Sequence, residues 1–234
     1  MKPVDSGVVE RMRVVSVNVG LPREVAWKGG SVSTGIFKEP VQGRVTVRRL
    51  NLDGDRQADL SAHGGADKAV YAYPAEHYHY WRGELAGVAM PFGPPGPFGM
   101  FGENFTTEGL LEDAVNIGDH FRIGTAELVV TQPRLPCYKL GLRFGRDDMV
   151  KRFLASGRTG FYFSVSREGE VEAGDAVALI DREPNRVAVP DITRLYVSKR
   201  YSPAEVETLR RATRVQALPQ NWRSYFLGRQ EKLG

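Results

Sequence analysis

The sequence contains one cysteine, Cys137, and four histidines in 234 residues. One cysteine cannot form an internal disulfide, which excludes a disulfide-stapled scaffold and leaves the thiol as either a small buried hydrophobe or a reactive group. Long apolar runs are lacking too: charge or glycine interrupts each stretch well short of the roughly 18 residues a membrane helix needs. The N-terminus has no apolar segment leading to a small-residue cleavage site, so neither a secretory signal nor a membrane partner is expected, and the expected compartment is the cytoplasm. Charge of one sign is scarce as well. Lys and Arg number 32 against 28 Asp and Glu, a small dispersed excess that leans toward an anionic ligand.

What is present is 41% apolar residues, enough for one good-sized core and a small appendage. Residues 1–13 read as a loose tail. Residues 14–184 are built of short β-branched runs punctuated by Gly, Pro and Asp. Strands are expected at Val14–Val19, Gly43–Leu50, Ala69–Tyr73, His120–Ile123, Glu127–Thr131, Phe161–Val165 and Ala176–Ile180. So many short strands predict a mostly β fold, a barrel with a few packed helices. One helix should start near Pro74 and carry His77, Trp81 and Leu85 on one stripe. A shorter one is expected over Asp147–Ala155, and Pro91–Gly99 reads as a surface loop. From residue 185 to 234 the pattern turns helical: a short helix from Asp191 or Thr193, a second opened by the capping box Ser202-Pro203-Ala204-Glu205, and a third after Pro219 with Trp222 and Phe226 one turn apart. This predicts a C-terminal three-helix domain.

Cys137 lies in Gln132-Pro133-Arg134-Leu135-Pro136-Cys137-Tyr138-Lys139. The two prolines stiffen the segment and argue against an interior strand, while Arg134 and Lys139 favour the thiolate. A thiolate can attack an electrophile, with His63 as a possible base, or bind a metal. A zinc site is disfavoured, because His77 and His79 would point about 200° apart on a helix and no second cysteine exists. His63-Gly64-Gly65-Ala66-Asp67-Lys68 fits a phosphate cradle or an ordinary hairpin turn equally well, and neither a Walker nor a Rossmann pattern is present. Glu103-Asn104 could read a heterocycle edge, and Arg158, flanked by glycines, suits bidentate phosphate contact.

Taken together, Thr34-Gly35-Ile36-Phe37-Lys38, Gly54-Asp55-Arg56-Gln57-Ala58-Asp59, His63-Gly64-Gly65, Asp67-Lys68-Ala69-Val70, Gly102-Glu103-Asn104, Gln132-Pro133-Arg134 with Pro136-Cys137, and Gly157-Arg158 resemble the YiiM-like branch of the MOSC-domain family. The helical tail with Trp222-Arg223 resembles the three-helix domain that often follows. The resemblance implies a MOSC-type barrel that binds the molybdenum cofactor, molybdopterin, with Cys137 as molybdenum ligand. It names Gly64, Gly65, Asp67, Lys68, Asn104, Arg134, Lys139 and Arg158 as candidates for holding the cofactor. The implied activity is that of an oxidoreductase reducing N-hydroxylated compounds, including hydroxylamino bases, to amines. Glu103 or His63 would be the proton donor and a separate reductase the electron donor. Pyridoxal phosphate is not expected, because the aminotransferase-like part of cofactor sulfurases has no counterpart here. The alternatives are a cofactor carrier or sulfur-transfer protein without turnover, and a nucleic-acid-binding module using Arg200, Arg210, Arg211, Arg214 and Arg223 of the tail, whose charges are more simply solvated helix faces.

Overall fold

The computed structural model describes residues 12–58, 64–93 and 96–233. His63, Asp59 and most of the expected N-terminal tail therefore lie outside the described residues, and Arg13 already belongs to the first strand. Among the described residues are strands β1 (Arg13–Val19), β2 (Arg23–Trp27), β3 (Gly30–Thr34), β4 (Glu39–Pro40), β5 (Val45–Val47), β6 (Val70–Pro74), β7 (Phe105–Glu108), β8 (His120–Ile123), β9 (Ala126–Pro133), β10 (Phe161–Arg167), β11 (Gly169–Val171) and β12 (Val177–Asp181). The helices are α1 (His77–Glu84), α2 (Tyr138–Phe144), α3 (Met149–Ser156), α4 (Val189–Val197), α5 (Pro203–Arg214) and α6 (Gln220–Glu231), with a 3-10 turn at Ala66–Lys68. None of these helices is long and apolar enough to cross a membrane.

Eight strands form one sheet in the order β12-β8-β9-β10-β6-β7-β1-β4, with β2–β3 and β5–β11 as separate pairs. The expected barrel is not closed. β4 covers only the Asn18–Val19 end of the outer edge of β1. At the other end a single Arg13–Ala176 bridge and backbone bonds such as Val177 N–H to Met12 O, 2.8 Å, approach β12 without a continuous ladder. The sheet curls toward closure and stops short.

Side-chain alternation along β6 divides the interior in two. Val70 and Ala72 enter a large aliphatic core, whereas Tyr71 and Tyr73 enter an aromatic one with Trp81, Phe101, Phe144 and Phe153. Every residue of β6 is therefore buried, as expected of a strand covered on both faces. The aromatic core holds α1, α2 and α3 against the sheet. Ile192, Leu195, Leu209, Trp222 and Phe226 of α4, α5 and α6 join the aliphatic core, so the tail and the sheet share one apolar interior. The capping box of α5 forms as its sequence predicts: Ser202 Oγ accepts from Glu205 N–H at 3.3 Å, and the Glu205 carboxylate accepts from Ser202 N–H at 2.8 Å.

Candidate functional site

The chain leaves the sheet at Pro133, the last residue of β9, which is paired with Phe161 in the interior of the sheet. The prolines thus terminate an interior strand instead of excluding one. Four residues later Cys137 adopts extended backbone geometry and α2 begins. Two adjoining pockets meet at this turn. Lys68, Cys137 and Tyr162 line both of them, so the half-buried thiol stands in their common wall.

The first pocket, about 100 Å³ in volume, is strongly cationic. Lys38, Arg56, Lys68, Arg134 and Lys139 line it, and Asp55 is the acidic residue among them. Arg134 is buried, its guanidinium 4.8 Å from the Tyr71 ring centroid and 5.3 Å from that of Phe153. It donates to the Tyr71 hydroxyl at 3.2 Å, which in turn donates to Thr159 O at 2.8 Å. Burial raises the Tyr71 and Tyr162 phenols above their usual range, with the nearby Arg134 charge opposing it. Both are therefore neutral hydroxyls at physiological pH.

A polar platform lies beneath the same pocket. Asp55 pairs with Lys38, and its carboxylate also accepts from Gly20 N–H at 3.0 Å and Asn104 Nδ2 at 2.9 Å. Burial lowers the Lys38 pKa, which the charge of Asp55 opposes. Gly35 passes close over this platform, where a Cβ would meet Arg56 O at 2.8 Å; a larger residue would push the pocket wall outward.

The expected site residues separate under this geometry. Cys137, Lys68, Asn104, Arg134 and Lys139 are brought together around the first pocket. Asn104 nevertheless has both ends of its amide engaged, since Oδ1 accepts from Tyr71 N–H at 3.1 Å while Nδ2 holds Asp55. It positions the platform instead of reading a heterocycle. Lys139 donates to Ser33 O at 2.8 Å and clasps the β2–β3 hairpin to α2. Gly65, with φ of 93°, opens the turn that presents Lys68, and Gly64 precedes it. Asp67 is exposed, and its contribution is its carbonyl, which accepts from Thr131 Oγ1 at 2.7 Å and Gln132 Nε2 at 3.2 Å.

Two residues face elsewhere. Glu103 is fully buried and lines neither pocket. Its carboxylate accepts from Gly99 N–H at 2.9 Å, Phe101 N–H at 3.0 Å, Thr106 Oγ1 at 3.1 Å and the Tyr78 hydroxyl. Burial raises its pKa against those bonds, and the group anchors the loop that carries Gly99 and Phe101. Arg158 stacks 4.2 Å from the Tyr80 centroid and donates to Ser156 O at 3.0 Å, so it too lies outside both pockets. In the tail, Arg211 donates to the carbonyls of Asn185 and Arg186 at 2.9 and 2.8 Å, and Arg210 faces Glu207.

The second pocket, about 440 Å³, is lined by Gln132 and Pro136 on the sheet side and by Tyr196, Asn221, Trp222 and Tyr225 of the tail. The tail thus supplies one wall of this pocket beside the cysteine, through residues far from it in the sequence.

The model of the MOSC domain matches residues 59–178. The chain belongs to the MOSC-domain family. This MOSC protein is 39% identical to the uncharacterized Bacillus subtilis protein YflK over 224 residues, 96% of this chain and 97% of that one. It is 41% identical to Escherichia coli YiiM over 149 residues, 64% of this chain and 65% of YiiM. A Gibberella moniliformis protein named reductase matches at 32% identity over 74% of this chain but only 30% of its own length. The crystal structure of YiiM from Geobacillus stearothermophilus superimposes with a TM-score of 0.73 at 33% identity, covering 94% of this MOSC protein and 99% of that chain.

Proposed function

We propose that this chain binds a molybdenum cofactor through Cys137 and reduces N-hydroxylated compounds to amines with electrons from a separate reductase. The observation that carries the reading is the position of Cys137, a thiol in the wall between two pockets, beside a lining of five cations and one acid. Among the described residues no three His, Cys, Asp or Glu side chains gather to hold a metal by themselves. The remaining ligands would therefore arrive with the metal, as the dithiolene sulfurs of a pterin do. A soft sulfur donor suits that partner, and Lys68, Arg56, Lys139 and Arg134 suit its phosphate end. The family and the reductase name of the Gibberella relative support the same direction. When bound, the group supplies the capacity to accept an oxygen atom from an N–O bond.

The protein's own part is positioning and proton supply. Arg134, pinned between Tyr71 and Phe153, is a fixed cation that cannot swing out to solvent. N–O cleavage requires a proton at the departing nitrogen, and Glu103 is turned away. Tyr162, whose phenol borders both pockets and shares the Arg134 charge, takes that place. The test is metal analysis with pterin fluorescence on wild type and Cys137→Ala, followed by reduction of a hydroxylaminopurine with a chemical reductant. Molybdenum should be lost in the variant, and equal molybdenum in both proteins overturns the ligand assignment.

A further inference from the structure

Among the described residues two arginines are buried, Arg134 and Arg143. Arg134 has the Tyr71 hydroxyl as acceptor. Arg143 is 6% exposed, yet its guanidinium makes no hydrogen bond or ion pair among the described residues, and its Nε is sealed from solvent without a partner. It lies in the last turn of α2, with the guanidinium 4.9 Å from the Phe37 ring centroid. A second guanidinium, that of the exposed Arg23 at the start of β2, stands 3.7 Å from the same centroid and likewise has no acceptor among the described residues. We propose that Arg23 and Arg143 form a receptor for a phosphate-class oxyanion, which latches the β2–β3 hairpin to α2. Neither residue lines the two pockets around Cys137, so the site is separate from the one already described.

A cation buried without a partner is costly, and a second like charge on the same ring adds repulsion. Burial and the Arg23 charge both disfavour the Arg143 cation, while the carboxylates of Glu39 and Glu103 oppose them from a distance without pairing with it. Glu103 is already committed to its four donors. A guanidinium keeps its proton regardless, so an unneutralised charge persists that an anion would relieve. The arginine fork matches carboxylate and phosphate. One fork fills the two oxygens of a carboxylate, whereas a phosphate has oxygens for two forks arriving from different elements. Phe37, edge-on to Phe92 at 5.2 Å, gives the site an apolar floor. The latch also bears on the first pocket: Arg23 is the cross-strand partner of Thr34, which lines that pocket beside Gly35. A bridging oxyanion would hold this wall against the helix that follows Cys137.

The test is thermal melting of the full chain in inorganic phosphate against sodium chloride of matched ionic strength. Phosphate at about 100 times its dissociation constant should raise the wild-type melting temperature by roughly 5–10 °C. The shift should persist in Arg134→Ala, shrink in the surface variant Arg23→Gln and vanish in Arg143→Met. In chloride alone Arg143→Met should melt at or above wild type, because it removes an unpaired buried charge. An equal shift with phenyl phosphate identifies the free ion as ligand, and a larger one the phosphate of an organic ester resting on Phe37 and Phe92. No phosphate-specific shift in wild type overturns the proposal. A shift that survives in Arg143→Met and is lost in Arg134→Ala also overturns it, by placing the anion in the first pocket. So does an equal loss of stability in both salts for Arg143→Met, which would make the cation a structural prop for Phe37. Pterin content should be the same in wild type and Arg143→Met; its loss would assign the pair to the cofactor. Equal molybdenum in wild type and Cys137→Ala, with the phosphate shift intact, would overturn only the assignment of Cys137.

Discussion

Lys38 and Asp55 are ion-paired within the protein, with side chains 8% and 1% exposed, beneath the pocket that Cys137 borders. Such a pair contributes little net stability against apolar replacements, but removing one partner strands the other charge. Asp55→Ala should therefore cost about 3–5 kcal/mol, on the order of 10 °C in melting temperature for a chain of this size. Adding Lys38→Met should return part of the loss. A single variant melting with wild type would show that the pair is not confined as described.

Arg134 and Arg158 offer a direct contrast. Arg134→Ala should lower molybdenum content, because it removes the fixed cation of the first pocket. Arg158→Ala should leave the content unchanged, because that side chain is committed to Tyr80 and Ser156. Metal analysis of the two purified variants checks this, and the reverse order would relocate the anion site.

Tyr162→Phe should retain cofactor and fold yet reduce turnover of an N-hydroxylated substrate by about 100-fold, the usual scale for a removed general acid. Single-turnover rates at matched molybdenum content measure it. Undiminished turnover would assign the proton to another donor.

Glu103 predicts a pH dependence. Burial raises its folded pKa above that of a free glutamate, so its favourable contribution is fully present below the free value and declines as pH rises through the folded pKa. The advantage of wild type over Glu103→Gln in thermal melts should be largest near pH 4 and shrink toward neutrality. A difference constant across that range would contradict the raised value.

Much of this fold is legible locally. The β-branched run of β1, the aromatic-bearing runs of β8 and β10 and the capping box of α5 declare themselves because each signal is complete within a few residues. The β2–β3 hairpin was not foreseen, since its turn is made by Lys28 and Gly29 at φ of 49° and 80°, and lysine seldom marks a left-handed position. α2 was hidden for a related reason. It is seven residues long and contains Gly141, a helix-weakening residue required here because a Cβ would meet Arg146 O at 2.8 Å. At the site, the cysteine and its neighbouring cations are adjacent in sequence and could be read together. The Lys38–Asp55 pair and the tail aromatics become neighbours only through the sheet, and Glu103 was assigned to chemistry because its sequence gives no sign of the four donors that enclose it.

The single hydrogen bond between Trp222 and Gln132 also constrains exchange of parts between relatives. A chimera whose helices lack a tryptophan at this place would leave the Gln132 amide without its indole and open one wall of the larger pocket, so the last fifty residues and strand β9 should be engineered as a unit.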